Sequence, residues 1–385
     1  MIYFDNAATG GRKPDQVLTA VQSALRVCAN PGRSSHKLAL TCARLTQDCR
    51  NALNEFFGGW GADHVIFTKN CTEALNIALF GALRKGDHVV TTCMEHNSVL
   101  RPLYALQTAG IIHYDVCPLT GKPSEGNVSA EDIRALLRPN TRAVVVTTAS
   151  NVNGAIPDLA KTRAVLPEHV LLLCDGAQGC GHLPIDMQKM NIDALAVAGH
   201  KGMHGIQGSG ALLFSERFDP APFCYGGTGS ISNSLEMPEF YPDRLEAGTL
   251  SFPSIISLLE GVRYLTLNGK RAQRKIEELT KQLIMGFTEL PDYTLLSAPN
   301  PCGIVAFTHA ELPSDYIAQR LSNDYGIAVR SGLHCAPLMH KALGTFDDGA
   351  IRVSLSHFNS AKEIETLLLA LKEISHEKPY NLDIL

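Results

Sequence analysis

A chain of 385 residues exceeds one ordinary domain, and with 45% hydrophobic residues it has the material for a large core. Its formal net charge of -4, from 34 Lys and Arg against 38 Asp and Glu, provides no basic footprint for nucleic acid or an anionic membrane. Eleven cysteines scattered without Cys-x-x-Cys spacing indicate neither a disulfide framework nor a zinc ribbon, so a small-molecule partner is expected.

The start, Met1 to Asn6, has no basic segment followed by an apolar one, and no apolar run is long enough to span a bilayer; a soluble, cytoplasmic protein is expected. From about residue 60 to 215, short apolar runs alternate with helical patterns. The runs are Val65-Ile66-Phe67, His88-Val89-Val90, Ala143 to Val146, Val170 to Leu173, Ala194 to Val197, and Ala211 to Phe214. That alternation predicts an α/β domain on a mostly parallel sheet. After Leu250 the pattern changes to longer amphipathic helices, Ser254 to Leu267, Lys270 to Leu290 and Ala361 to Ile374, mixed with a few strands. The expected division is a large α/β domain over residues 14–250 and a smaller α+β domain from residues 1–13 and 251–385.

In open α/β sheets ligands bind beyond the carboxyl ends of the strands, so the residues there carry the functional argument. After the first run comes Thr68-Lys69-Asn70-Cys71-Thr72-Glu73. Asn70 and Glu73 have capping-box spacing, which puts Thr72 in a first helical turn, where free N–H groups favour a phosphate. His96 follows the next strand, a ring able to stack on a flat ligand or to shuttle a proton near neutral pH. Ser150-Asn151-Val152-Asn153 offers amide donors. Asp175 stands directly behind four apolar residues and requires a cation there; a protonated pyridine nitrogen would serve. Lys201 closes the apolar run Ala194 to Ala198 after Gly199 and His200, and a desolvated lysine is a nucleophile suited to a Schiff base with an aldehyde. Together these are the parts by which a protein holds pyridoxal 5'-phosphate.

The chain resembles the cysteine desulfurase and selenocysteine lyase family of class V aminotransferase-fold enzymes over nearly its whole length. The matching segments are Tyr3-Phe4-Asp5-Asn6-Ala7-Ala8-Thr9, Asn70 to Glu73, Glu95-His96, Ser150-Asn151, Asp175 to Gln178, Gly199-His200-Lys201, Arg244 to Thr249, Val329 to Ala336 and Ile351 to Ser354. The resemblance implies a fold type I pyridoxal-phosphate-dependent transferase in which Lys201 holds the cofactor as a Schiff base, His96 stacks on its ring, Asp175 pairs with the ring nitrogen and Gln178 with the phenolic oxygen. It puts Cys71, Thr72, His200 and Thr249 at the phosphate, Thr249 supplied by the partner subunit of a homodimer. Asn151 would lie beside the ring and the substrate carboxylate, Arg352 would clamp that carboxylate, and Cys335 would accept sulfur. Lys201, Cys335 and His96 are thus the expected catalytic residues. L-Cysteine or L-selenocysteine is the implied substrate, with a sulfur-acceptor protein as partner and sulfur mobilisation, as iron–sulfur cluster assembly requires, as the implied role; no metal, nucleic acid or membrane is implied.

Two of these assignments have support of their own. The alternation of Ile351, Val353 and Leu355 against Arg352, Ser354 and Ser356 projects Arg352 from a rigid strand, a placement suited to a bidentate grip on a carboxylate. Cys335 lies close in sequence to Arg330, His334 and His340, a cationic setting that lowers a thiol pKa. A metal site on His334, Cys335 and His340 is the competing reading, but their spacing has no helical or hairpin register. The loop from Arg330 to Ala336 is expected to move during turnover. Departures from the family pattern fall at Cys71, at Leu333, at Asn97-Ser98 (a second histidine and an alanine in the family), and at Tyr225 to Ser230. They leave open selenocysteine lyase activity, another transaminase or β-lyase of this fold, and a sulfur-transfer scaffold without cofactor. No Gly-x-Gly-x-x-Gly opens a helix after a strand, which argues against a nicotinamide site.

Overall fold

The computed structural model describes residues 1–27, 29–31, 34–122, 124 and 126–376. A two-residue strand, β1 (Ile2–Tyr3), precedes two helices, α1 (Asp15–Arg26) and α2 (Lys37–Phe56). A seven-stranded sheet follows, made of β2 (Val65–Thr68), β3 (Asp87–Thr92), β4 (Ile112–Cys117), β5 (Thr141–Thr147), β6 (Leu171–Asp175), β7 (Ala194–Ala198) and β8 (Gly210–Phe214), in the spatial order β2-β8-β7-β6-β5-β3-β4. Helices α3 (Cys71–Ala82), α4 (Asn97–Thr108), α5 (Ala130–Ala135), α6 (Leu159–Val165) and α7 (Met187–Met190) connect the strands.

Successive strand residues enter opposite cores, as the period of two dictates. Val144, Val146, Leu172 and Cys174 belong to one apolar cluster, and Val145, Leu171 and Leu173 to the other. Burial on both faces explains why these strands read as continuous apolar runs. Strands β3 to β7 are mutually parallel, while β8 runs antiparallel to both β7 and β2. Two reversals restore direction, so β2 points the same way as the parallel strands. The carboxyl ends of β2, β3, β5, β6 and β7 therefore share one rim.

The remaining chain forms α8 (Phe252–Gly286), β9 (Tyr293–Leu295), β10 (Ile304–His309), α9 (Ser314–Tyr325), β11 (Ile327–Ala328), α10 (Pro337–Leu343), β12 (Ile351–Ser354) and α11 (Ala361–Ser375). Strands β12, β10 and β9 make a three-stranded antiparallel sheet in that order. The chain's start returns to this region: β1 pairs with β11, and Phe4 is buried in the same cluster as Val305, Phe307 and Val353.

Two sequence expectations change. The helices expected over 254–267 and 270–290 are one 35-residue helix that runs through Gly269. An interior glycine costs about 1 kcal/mol relative to alanine. Ile255, Leu258 and Leu259 before it, and Leu279 and Leu283 after it, are buried in different cores, and that packing outweighs the cost. Strand β4 falls outside the expectation because it is an edge strand: His113 is exposed and Tyr114, Asp115 and Val116 are only partly buried, so no apolar run marks it. Among the described residues no helix is long and apolar enough to cross a membrane.

Candidate active site

The shared rim encloses a cavity of about 200 Å³, and ten residues singled out in the sequence line it: Cys71, Thr72, His96, Asn151, Asp175, Gln178, His200, Lys201, His334 and Arg352. Lys201 is the third residue after β7, behind Gly199 and His200. Burial lowers the pKa of its ammonium, opposed by the carboxylate of Asp175, so a larger fraction is held as the neutral amine. Asp175 ends β6 and is 2% exposed. Its Oδ1 accepts hydrogen bonds from the Cys71 thiol at 3.3 Å and from the Ala177 N–H at 2.9 Å, and it has no ion-pair partner among the described residues. Burial, reinforced by Asp175, raises the Cys71 thiol well above its ordinary pKa, so Cys71 serves as a protonated donor to Asp175.

Asn70 caps α3, its side chain accepting from the Glu73 N–H at 2.9 Å. The expected reciprocal half of the capping box is absent: Glu73 reaches the Lys69 N–H at 2.6 Å instead of that of Asn70. Thr72 in the first turn places Oγ1 2.8 Å from Ser98 Oγ. His96 caps α4, with Nδ1 accepting from the Ser98 N–H at 3.0 Å. Burial lowers its pKa to about 4, against the pull of Asp175. Burial thus holds the ring toward its neutral form, which suits stacking. His200, also lowered to about 4 by burial, lies 3.1 Å from Thr9 Oγ1 through Nδ1, and Gln178 donates to the Ala7 carbonyl at 3.0 Å. Thr249 stands apart. It is exposed and lines a separate groove with Thr68, Gly208 and Ser254, so one chain does not bring it to the cavity.

Arg352, on β12, is 1% exposed. Nη1 donates to the Asn151 carbonyl at 3.0 Å and Nη2 to Asp5 Oδ1 at 2.8 Å, while Nε is buried without a partner. A spare buried donor on a guanidinium at a cavity wall is what a ligand carboxylate satisfies. The loop beyond β11 is tied to this strand, since Arg330 and Arg352 exchange backbone hydrogen bonds of 3.2 and 2.7 Å. Its next residues are held from the large sheet. The Asn151 side chain donates to the His334 carbonyl at 2.7 Å, and the Asn97 N–H to the Cys335 carbonyl at 2.7 Å.

Cys335 is partly buried beside the cavity, its Sγ 3.7 Å from Arg330 Nη2. His334 and Cys335 both adopt left-handed backbone, with φ of 48° and 59°. Each costs roughly 1–2 kcal/mol for a residue with a Cβ. The cationic setting expected around the thiol is reduced to its arginines. Burial lowers His334 to about 2 and His340 to about 4, so both rings are neutral, and positive charge comes from Arg330, 3.7 Å away, and from the buried Arg352. Their rings also have protein partners, His334 donating through Nε2 to the Ala350 carbonyl at 3.1 Å and His340 Nδ1 lying 2.8 Å from Thr345 Oγ1.

A family model for class-V aminotransferases matches residues 2–367. The chain belongs to the class-V aminotransferase family. Within that family it is 32% identical to a probable cysteine desulfurase of Pyrococcus abyssi, over 97% of this chain and 94% of that one. It is 30% identical to a cysteine desulfurase of an Enterobacter species, over 98% and 94% of the two chains. The apo structure of a cysteine desulfurase from Thermococcus onnurineus NA1 superposes with a TM-score of 0.88 at 31% identity, covering 97% of this chain and 94% of that one. An Escherichia coli cysteine desulfurase in an S-sulfonic acid form gives 0.85 at 25% identity, covering 96% and 94%. The class-V, fold type I architecture expected from the sequence is borne out.

Sequence reasoning missed two polar residues at this class-V site. Ser98 lines the cavity between Thr72 and His96, and Asp5 holds one arm of Arg352. The signal for Ser98 was its position two residues after His96 at a helix start. Asp5 stood in the matching segment Tyr3 to Thr9, but nothing in the sequence tied it to Arg352, because their contact joins positions 347 residues apart.

Proposed function

We propose that the chain is a pyridoxal-phosphate-dependent cysteine desulfurase that converts L-cysteine to L-alanine and passes the sulfur to Cys335. The observation that carries this reading is the convergence of Lys201, Asp175 and Arg352 on one cavity, with the Cys335 thiol beside it. Several features fit the cofactor: a buried carboxylate without an ion pair among the described residues, a neutral ring at His96, and the first-turn N–H groups and Thr72 side chain of α3 at the cavity. When bound, pyridoxal phosphate supplies an electron sink that acidifies the substrate Cα–H.

In this reading Arg352 binds the substrate carboxylate through its spare Nε, with Asn151 beside it. Lys201, kept partly neutral by burial, takes the Cα proton and later returns a proton to carbon. Asp175 faces the ring nitrogen, Gln178 the phenolic oxygen, and Thr72, His200 and the first turn after Cys71 the phosphate. The Cys335 thiolate attacks the substrate sulfur; an S–S bond forms, the C–S bond breaks with its electron pair left on the substrate, and protonation of that carbon yields alanine. Cysteine plus the thiol thus balance against alanine plus a persulfide, with no external oxidant. Thr249 completes the phosphate site from a second copy in a homodimer, and an acceptor protein or thiol discharges the persulfide. Residues 14–250 make up the proposed cofactor domain, and residues 1–13 with 251–385 the domain that carries the cysteine loop, of which 377–385 lie outside the described residues.

The test is product analysis with purified protein. Wild type should release alanine from cysteine, and Cys335→Ser should lose that release while keeping the cofactor absorbance. Full alanine release by Cys335→Ser overturns the sulfur-acceptor assignment, and pyruvate in place of alanine overturns the reaction. Parallel assays with selenocysteine establish which substrate is preferred.

A further inference from the structure

Cys71 is the first residue of α3, is 7% exposed, and lines the same cavity as Asp175 and Lys201. Its thiol lies 3.3 Å from Asp175 Oδ1 and has no other hydrogen-bond partner among the described residues. The direction of this bond is fixed. A carboxylate only accepts, the same oxygen already accepts from the Ala177 N–H at 2.9 Å, and burial beside Asp175 keeps the thiol protonated. Oδ1 is thus supplied by two donors, whereas Oδ2 accepts no hydrogen bond among the described residues. The last torsion of an aspartate side chain is soft and close to two-fold, so the donors on one oxygen decide which of the two faces the cavity. A donor to a carboxylate also stabilises its ionised form against the acid. The resemblance to known enzymes put Cys71 at the phosphate; its thiol instead reaches the carboxylate at the other end of the site.

We propose that Cys71 is a positioning residue: its S–H, with the Ala177 N–H, anchors Oδ1 of Asp175, presents Oδ2 to the ring nitrogen of the cofactor, and keeps the proton between them on that nitrogen. This rests on the pyridoxal phosphate reading above. A protonated ring nitrogen strengthens the ring as an electron sink, so the thiol acts on the chemistry through Asp175 and without touching the substrate.

The experiment strips full-length protein of cofactor, reloads it with pyridoxal phosphate labelled with nitrogen-15 in the ring, and reads the ring-nitrogen and phosphorus resonances by NMR. Cys71→Ala, and Cys71→Val at closer to the thiol's volume, should each lower the ratio of protonated to neutral ring nitrogen about threefold to tenfold, the range for one lost hydrogen bond. The nitrogen resonance then moves downfield, toward neutral pyridine, while the phosphorus resonance stays in place. Cys71→Ser keeps a donor and should leave both resonances where the unsubstituted protein has them. An unmoved nitrogen resonance without the donor, a Cys71→Ser resonance displaced as far as that of Cys71→Ala, or a change confined to phosphorus overturns the proposal. Failure of the unsubstituted protein to bind pyridoxal phosphate overturns the cofactor reading itself, and this proposal with it.

Discussion

Lys201 lines the cavity and Cys335 stands beside it, and the two are held in opposite ways. Lys201 leaves a buried strand that pairs with β8 over its whole length and with β6 over Ala194 to Ala196, so its position follows from the sheet. Cys335 sits on a loop with two consecutive left-handed residues, and its placement depends on hydrogen bonds from Asn97 and Asn151, which belong to the other body of the chain. The first centre is fixed by packing. The second is fixed by a few polar contacts against backbone strain, which is the arrangement expected where a group must approach a substrate and then leave it.

Substitutions at each centre separate the two modes. Lys201→Ala should have the largest effect, a loss of about a thousandfold or more in alanine formation, within the range for removing a general acid–base group. It should also abolish the absorbance of the lysine-bound cofactor; retention of turnover would dissolve the distinction between the centres. Cys335→Ser should cost about a hundredfold in alanine release yet leave cofactor binding intact, because nothing in the large sheet leans on the thiol. Loss of cofactor in that variant would mean that the loop supports the rim. Arg352→Gln removes a buried charge paired with Asp5 and should raise the KM for cysteine about 30-fold, the lower end of the cost of truncating a buried charge pair. A change in kcat alone would place the substrate carboxylate elsewhere.

The smallest effect concerns the sheet side by itself. Glu95, in the β3–α4 turn, accepts from the Thr92 hydroxyl at 2.7 Å and the Thr147 N–H at 2.9 Å, while Oε2 is buried without a partner. Burial raises its carboxyl to about 8, with Asp175 adding to the shift. A raised folded pKa means that the folded protein holds a proton the unfolded chain releases in the ordinary carboxylate range. The associated stability is fully present below that range and is lost as pH rises to about 8. Glu95→Gln should therefore flatten the fall in melting temperature between pH 5 and 8, leaving the variant on the order of a few degrees more stable than wild type at pH 8. Parallel melting curves across that interval would show that Glu95 does not titrate there.

The contrast between the centres also describes what was legible in the sequence. Asp175 and Lys201 were readable because a polar residue at the end of an apolar run can only be at a strand end, and strand ends share a rim. Arg352 was readable from the family resemblance, with the alternation of its strand as support. The neutrality of His334 and His340 was not, since sequence proximity to Cys335 says nothing about burial, and burial removes the charges that proximity appeared to supply. Nor was the contact between Ser98 and Thr72, which requires the first turns of α3 and α4 to lie side by side. Thr249 marks a different limit: its residue type and motif were recognisable, but one chain leaves it in another groove.

The backbone pairing of Arg330 with Arg352 gives the site a caliper. One jaw is the Arg352 guanidinium, the other the loop that carries the Cys335 thiol, and the bridge between them sets where that loop begins. In the proposed reading an amino acid is measured by the number of bonds between its carboxylate and its sulfur. Homocysteine, one methylene longer, should seat its carboxylate correctly and still carry its sulfur past the thiol meant to receive it.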